Sequence, residues 1–149
     1  MKIEEELKQD KFTSAIHKAI VNIMFTDGWL SNHLRDVFKD HNITPQQYNV
    51  LRILRGKYPE ALNPTDIKSV MLDKNPDLTR LCDRLLTRNL IDRCIDGDNR
   101  RKMNIRITED GLNMLNLIDP IMFEFNEKVS SITQDEAEIL SNLLDKLRG

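Results

Sequence analysis

Apolar residues recur at helical spacing through most of this 149-residue chain. Positions three and four apart lie on one face of an α-helix, so this spacing predicts amphipathic helices. The first stripe consists of Phe12, Ile16, Ile20, Ile23, Met24, Leu34, Val37 and Phe38. Later stripes are Leu51 and Leu54; Ile67, Val70 and Met71; Leu78, Leu81, Cys82 and Leu85; and Leu115, Ile118, Met122, Phe125, Val129, Ile132, Leu140, Leu143, Leu144 and Leu147. The pattern predicts a mostly helical protein.

The starts of several helices are marked by a capping residue directly before a proline, at Thr44-Pro45, Asn63-Pro64 and Asn75-Pro76. The side-chain oxygen accepts an unpaired N–H, and proline at the first helical position costs no hydrogen bond. Capping-box spacing supports the starts at Thr44, which precedes Gln47 by three, and at Thr133, which precedes Glu136 by three. Thr108 before Glu109 and Asp110 predicts a further start. Gly28 is expected to bend or weaken the first long helix, and Pro120 to kink a later one.

One stretch departs from the helical period. Leu90 to Cys94 and Met103 to Ile107 are short segments of strand-like pattern, and residues 95–102 between them are polar, turn-forming and basic. Two such segments around a turn predict a β-hairpin with a charged tip. Three short helices followed by a hairpin are typical of the winged helix-turn-helix, in which the third short helix enters a major groove of DNA.

Charge supports a nucleic-acid surface in the same region. Between Lys74 and Arg106 nine basic residues stand against five acidic ones, a net charge of +4 in a chain whose total is −2. A basic block in an otherwise acidic chain is the electrostatic footprint of DNA binding, and a solvated helix face is the alternative. The predicted third short helix directs polar side chains outward: Asp77, Thr79, Arg80, Asp83, Arg84 and Thr87.

The sequence resembles the MarR family of bacterial transcriptional regulators over nearly its whole length. The resemblance is carried by Ile43-Thr44-Pro45-Gln46-Gln47-Tyr48, Leu78 to Leu86, Arg88 to Arg93, Asn99-Arg100-Arg101 and Ile107 to Gly111. It implies a winged helix-turn-helix with N- and C-terminal dimerisation helices, which would account for the long apolar faces at both ends. The expected domain is one protomer over 1–149, with a DNA-binding lobe at 43–107 and dimerisation helices at 1–42 and 108–149.

The function implied is that of a homodimeric regulator of double-stranded DNA, a repressor bound to a pseudo-palindromic operator and released by a small ligand. The expected DNA-binding residues are Lys74, Asp77, Thr79, Arg80, Asp83, Arg84, Asn99, Arg100, Arg101 and Lys102. The resemblance also places a ligand pocket near Trp29, Phe38 and Tyr48.

Two positions depart from the family pattern. Asn89 stands where the family usually has glycine before the wing, and asparagine is the best non-glycine residue for a left-handed backbone. Asn99 aligns with the family's acidic wing residue, although Asp98 is adjacent. The minor-groove arginine is therefore Arg101 if strand length back from Thr108 is preserved, and Arg100 if the loop shifts by one.

Other functional classes find less support. The composition, 40% hydrophobic and 31% charged, excludes collagen-like and disordered chains. No phosphate-binding loop, nucleophile elbow or metal-ligand pair is present, so we expect no enzyme, cofactor or metal. The acidic N-terminus and the lack of a long apolar run predict a cytoplasmic protein without membrane contact.

Two alternatives to ligand-controlled DNA binding remain open. Cys82 and Cys94 could make the chain a thiol-based redox sensor, although a buried cysteine usually behaves as a small apolar residue. A winged helix could also bind a protein without contacting DNA, but such a surface would be more apolar than this one.

Overall fold

The protein is described by a computed structural model that covers residues 1–95, 103–129 and 131–149. Its elements in chain order are α1 (Ile3–Leu7), α2 (Ala15–Lys39), α3 (Pro45–Arg55), α4 (Pro64–Val70), α5 (Leu78–Thr87), β1 (Ile91–Ile95), β2 (Met103–Ile107), α6 (Glu109–Val129) and α7 (Gln134–Arg148). The prediction of a mostly helical fold with one small hairpin is confirmed.

The hairpin is a two-stranded antiparallel sheet between helices. Ile91 pairs with Ile107 at its base, and Cys94 pairs with Asn104 further along. Leu62 extends the sheet through a bridge to Ile105, with both backbone N–H···O distances at 2.8 Å. The first strand therefore lies one residue later than the pattern predicted, because Leu90 belongs to the turn that ends α5.

The described chain forms two compact units, Met1–Tyr48 and Asn49–Gly149. In the first unit, Phe38 is buried against Tyr48 with ring centroids 4.9 Å apart. Lys18 of α2 forms an ion pair with Glu4 of α1, and Ile3 is buried. The assignment of 43–107 as a lobe flanked by dimerisation helices stays a prediction.

The second unit buries one apolar side of α3, α4, α5 and α6 and of the hairpin. Its fully enclosed residues are Val50, Leu51, Leu54, Ile67, Met71, Leu85, Ile91, Ile107, Leu115 and Ile118. Most of the helical positions belong to the stripes of the sequence, but Val50 does not, and Val70, expected to point inward, is exposed. Helix α4 ends at Val70, and of the two residues at this end only Met71 is buried.

Most predicted helix starts are confirmed. The Gln47 amide donates to Thr44 Oγ1 at 3.2 Å while the Thr44 amide donates to the Gln47 side chain at 2.9 Å. Asn63 accepts from the Asp66 amide at 2.9 Å, and Thr133 forms a capping box with Glu136. These contacts pair amides that have no partner within the helix.

The predicted start at Asn75-Pro76 is wrong. Helix α5 begins at Leu78, and its cap is Asp77, whose Oδ1 accepts from the Arg80 amide at 3.1 Å. The Asn75 amide instead donates to Asp73 Oδ1 at 2.9 Å, so a local turn takes the place of the predicted first helical turn. A side chain that caps its own turn competes with helix formation.

Helix α2 runs without interruption through Gly28, and α6 runs through Pro120. Among the described helices, none combines the length and apolarity needed to cross a membrane.

A closely packed junction joins α5, the hairpin and α6. Asn89 adopts a left-handed backbone with φ of 58°, and the Leu90 amide donates back to the Leu85 carbonyl at 3.0 Å. Thr108 Oγ1 donates to the Asn89 carbonyl at 2.6 Å and accepts from the Gly111 amide at 3.1 Å. The prediction that asparagine could replace the family's glycine is confirmed, since the left-handed turn forms.

Gly111 is the tightest point of this junction. A Cβ atom at this position would lie 2.2 Å from the Leu90 carbonyl oxygen and 2.6 Å from Ile107 Cγ1. The backbone of α6 can therefore approach the turn after α5 only because residue 111 has no side chain.

We predict that Gly111→Ala lowers the free energy of unfolding by about 1–3 kcal/mol, because the added methyl overlaps backbone atoms that cannot rotate away. The matched control is Asn113→Ala, at an exposed position of the same helix, which should raise stability by a few tenths of a kcal/mol. Urea unfolding of the three proteins measures both changes. Equal stability of Gly111→Ala and the parent would contradict the account of the junction.

Candidate nucleic-acid interface

Helix α5 separates its side chains into a buried and an exposed face. Its apolar stripe, Leu78, Leu81, Cys82 and Leu85, is buried in the core of the second unit. The opposite face is exposed and consists of Thr79, Arg80, Asp83, Arg84 and Thr87. A helix held by one face with polar and cationic side chains on the other has the form that enters a DNA groove.

Arg80 and Arg84 supply the positive charge of this face. Within the part of the chain that is described, neither guanidinium forms an ion pair. Lys74, in the segment leading into α5, is exposed and donates to the Ser69 carbonyl at 3.2 Å. All three cations are therefore available to a polyanion.

Asp77 and Asp83 each have a partner within the protein. Asp77 caps α5, as described above, and Asp83 pairs with Arg93 of β1 at 2.6 Å. The ion pair between Asp83 and Arg93 joins the exposed face of α5 to the hairpin, and it neutralises the charge of a carboxylate that would otherwise repel phosphates. The sequence reasoning did not identify Arg93, although its alternation with Asp92 along a strand places the two on opposite faces.

A second charged cluster lies at the base of the hairpin. Arg106 pairs with Asp92 across the strands at 2.8 Å, and this contact raises the pKa of the guanidinium. The Tyr58 hydroxyl donates to Glu109 at 3.1 Å, and the neighbouring carboxylate raises the pKa of the phenol. The contact between Tyr58 and Glu109 attaches the start of α6 to the loop after α3. The pair of Arg106 with Asp92 supports the pairing of the strands.

The remaining predicted DNA-binding residues, Asn99, Arg100, Arg101 and Lys102, lie outside the described residues, as does Asp98. The hairpin strands on either side of them are paired through Ile95 and Met103.

Both cysteines have raised thiol pKa values. Cys82 is buried in the core, and burial raises the pKa of its thiol to about 11 even though Arg93 opposes the change. Cys94 is half-buried, and burial with the nearby Asp92 raises its pKa as well. The thiolate is the reactive form, so both environments reduce reactivity.

The three aromatic residues expected at a ligand pocket occupy two environments. Phe38 and Tyr48 pack together in the interior of the first unit, whereas Trp29 lies against His33 with ring centroids 4.3 Å apart. A cleft of about 600 Å³ in the same unit is lined by Ser31, Leu34, Arg35, Asp36, Lys39, Ile43, Thr44, Pro45 and Gln46. Sequence reasoning missed these lining residues because nothing in their spacing distinguishes them from a solvated helix face.

Comparison with known proteins identifies the family. A family model described as MarR matches residues 43–103. The HTH-type transcriptional regulator PecS of Dickeya dadantii is 30% identical over 118 residues, which cover 76% of this chain and 70% of PecS. The matched proteins are transcriptional regulators, which confirms the prediction that this chain is not an enzyme.

Solved structures agree with this fold. The crystal structure of a MarR transcription factor from Planctomyces limnophilus has 29% identity and a TM-score of 0.68, covering 91% of this chain and 98% of that one. A MarR variant from E. coli, crystallised with operator DNA, has 22% identity and a TM-score of 0.75, covering 84% and 89%. On these sequence and structural grounds, this chain belongs to the MarR family of transcriptional regulators.

Proposed function

We propose that this regulator is a homodimer that binds a pseudo-palindromic operator, with α5 of each protomer in a major groove. The observation that carries the proposal is the exposed face of α5, where Thr79, Arg80 and Arg84 follow a segment that contains the exposed Lys74. Arginine binds phosphates and guanine edges, and threonine can contact either bases or phosphates. The operator-bound MarR from E. coli shows that this fold serves DNA binding in a related protein.

Thr79 is our candidate for reading a base, because it lies in the first turn of α5. Asp77 precedes the helix, and its carboxylate already accepts the Arg80 amide. The carboxylate has a second oxygen, so a cytosine amino group remains a possible partner for it. The pairing of Asp83 with Arg93 assigns Asp83 to the support of the hairpin in addition to the predicted contact with DNA.

The hairpin tip is proposed to lie against the flanking minor groove. Its basic residues, Arg100, Arg101 and Lys102, would sense the narrow and electronegative groove of A·T-rich DNA. Arg101 is the preferred minor-groove residue, and Arg100 is the alternative if the loop is shifted by one.

The proposed dimer is supported by apolar side chains that the protomer leaves exposed. On α2 these are Ile16, Ile20, Ile23 and Met24; on α6 and α7 they are Leu117, Phe123, Ile139, Leu140, Leu143 and Leu147. Helix α7 has no buried residue although it carries a leucine stripe. Exposed apolar faces of this extent are typical of obligate interfaces between subunits.

We further propose that a small ligand releases the protein from DNA in the cytoplasm, so that it acts as a repressor. The cleft beside α2 has the volume of a small-molecule site, and its lining combines Leu34 and Ile43 with Arg35 and Lys39. Thiol-based sensing is a weaker explanation, because burial raises the pKa of both Cys82 and Cys94.

We predict that affinity for duplex DNA falls steeply with salt, because the arginine and lysine side chains that contact phosphates displace counterions from them. Arg80→Ala and Arg84→Ala should each reduce the salt slope by about one unit, whereas Arg148→Ala at the end of α7 should leave it unchanged. Fluorescence anisotropy at a series of salt concentrations measures the slope. If the three variants gave the same slope, α5 would not be the contacting helix.

Fluorescence anisotropy also identifies the minor-groove arginine, when Arg100→Ala and Arg101→Ala are compared on operators with and without A·T-rich flanks. Loss of preference for A·T-rich flanks in Arg101→Ala alone would support the alignment through Asn99. Loss in Arg100→Ala alone would shift the loop by one residue, and no effect in either would exclude the hairpin from DNA.

We predict that Leu143→Glu converts the dimer into a monomer or an unfolded chain, since it places a charge in the apolar stripe of α7. The control is Leu72→Glu, at an exposed leucine outside that stripe, which should remain dimeric. Sedimentation equilibrium at micromolar concentration compares the two. A parent protein that is a folded monomer under these conditions would refute the proposed dimer.

We predict that the Cys82 thiol in the folded protein reacts with iodoacetamide roughly ten- to a hundredfold more slowly than a free cysteine at pH 8, because burial raises its pKa to about 11 and so lowers the thiolate fraction. Mass spectrometry of tryptic peptides measures the rate for each cysteine. Rapid alkylation of Cys82, with loss of DNA binding in a Cys94→Ser background, would favour the redox alternative.

A further inference from the structure

An ion pair joins the end of α3 to the middle of α6 within the second unit. Arg55, the last residue of α3, directs Nη1 and Nη2 at the two carboxylate oxygens of Asp119, at 2.5 and 3.4 Å. Both side chains are about two-thirds enclosed, with 30% and 38% of their surfaces exposed. A bidentate arginine contact fixes direction as well as distance, since both groups are planar.

The position of Asp119 in α6 gives this pair its significance. Ile118, the preceding residue, is fully buried, and among the described side chains no later residue of the chain is buried. Phe123, one turn further on, is 69% exposed. Asp119 therefore lies at the point where α6 leaves the packed core and continues as an exposed arm, formed by the described parts of residues 121–149.

Pro120 follows directly and weakens the helix at this point. Proline has no amide hydrogen, so α6 lacks the hydrogen bond that residue 120 would otherwise donate to the Asn116 carbonyl. With that bond missing, the direction of the arm depends more on side-chain contacts at its base. Among the ion pairs formed by described residues, only the pair of Arg55 with Asp119 connects the base of the arm to another helix.

We propose that Arg55 and Asp119 are positioning residues that set the distance between the two operator half-sites. The inference rests on the proposed function, in which the exposed arms form the dimer and the lobes carry α5. From Ile121 to Val129 the arm extends roughly 12 Å, so a tilt of about 10° moves the end of this segment by roughly 2 Å. That displacement is more than half of the 3.4 Å rise of one base pair, and it is enough to change the preferred spacing.

The test uses full-length dimer and duplexes selected from a random pool by the parent protein. The spacer between the half-sites is then lengthened or shortened by one base pair. The parent should bind the selected spacing roughly tenfold more tightly than either altered one, the scale of one mismatched base pair. Arg55→Gln and Asp119→Asn should each lose most of this discrimination, while the affinity of each variant for its best-bound spacing changes by a smaller factor than the discrimination does.

Two further variants control the experiment. Glu124→Gln breaks an ion pair with Lys128 that lies wholly within the exposed arm, and it should keep the parent's discrimination. The double variant Arg55→Asp, Asp119→Arg should recover discrimination if the pair acts through its own contact. Sedimentation and thermal unfolding identify any variant that is no longer a folded dimer. If a variant fails this check, Arg55→Lys is used in its place, because it keeps the charge but lacks the planar fork of arginine.

The outcomes separate this proposal from the proposed function. Folded, dimeric variants that discriminate among spacings as the parent does would overturn the positioning role, and so would an equal loss of affinity at every spacing. A parent that binds duplexes without regard to spacing would overturn the dimeric operator model and, with it, this inference.

Discussion

The close contact between Gly111 and the turn at Asn89 and Leu90 is the constraint on which the geometry of α5 and the hairpin depends. Three elements converge there: the end of α5, the base of the hairpin and the start of α6. The left-handed backbone of Asn89 reverses the chain after α5, and Thr108 binds both that turn and the first turn of α6. Because the helix and both strands share this junction, α5 and the hairpin are presented as one surface.

Ion pairs extend the junction outward. Arg93 and Asp83 join β1 to the exposed face of α5, and Arg106 and Asp92 join the two strands. These pairs are partly exposed, so each contributes modestly to stability. Their greater effect is on geometry, since they restrict how the hairpin is oriented with respect to α5. The function assigned to this surface thus depends on contacts that add little to the free energy of unfolding.

Much of this fold could be predicted from local chemistry. Thr44 with Gln47, Asn63 before Pro64, and Thr133 with Glu136 act over three residues, so the sequence contains both partners. The start of α5 could not be predicted, because Asn75 and Asp77 are both residue types that cap helices. In the structure Asp77 accepts the Arg80 amide, whereas the Asn75 amide donates to Asp73 in a local turn. The pair of Arg55 with Asp119 and the lining of the cleft beside α2 depend on tertiary placement. Their residues have no distinguishing spacing, and for that reason sequence reasoning missed them.

The central claim, that two copies of α5 enter the operator symmetrically, can be tested by directed cleavage of DNA. An iron chelate attached at Thr79→Cys, in a protein whose own cysteines are replaced by serine, would cut the strands nearest the start of α5. Two clusters of cuts are expected, placed symmetrically about the operator centre and separated by about one helical turn. A single cluster, or cuts spread evenly along the duplex, would contradict it.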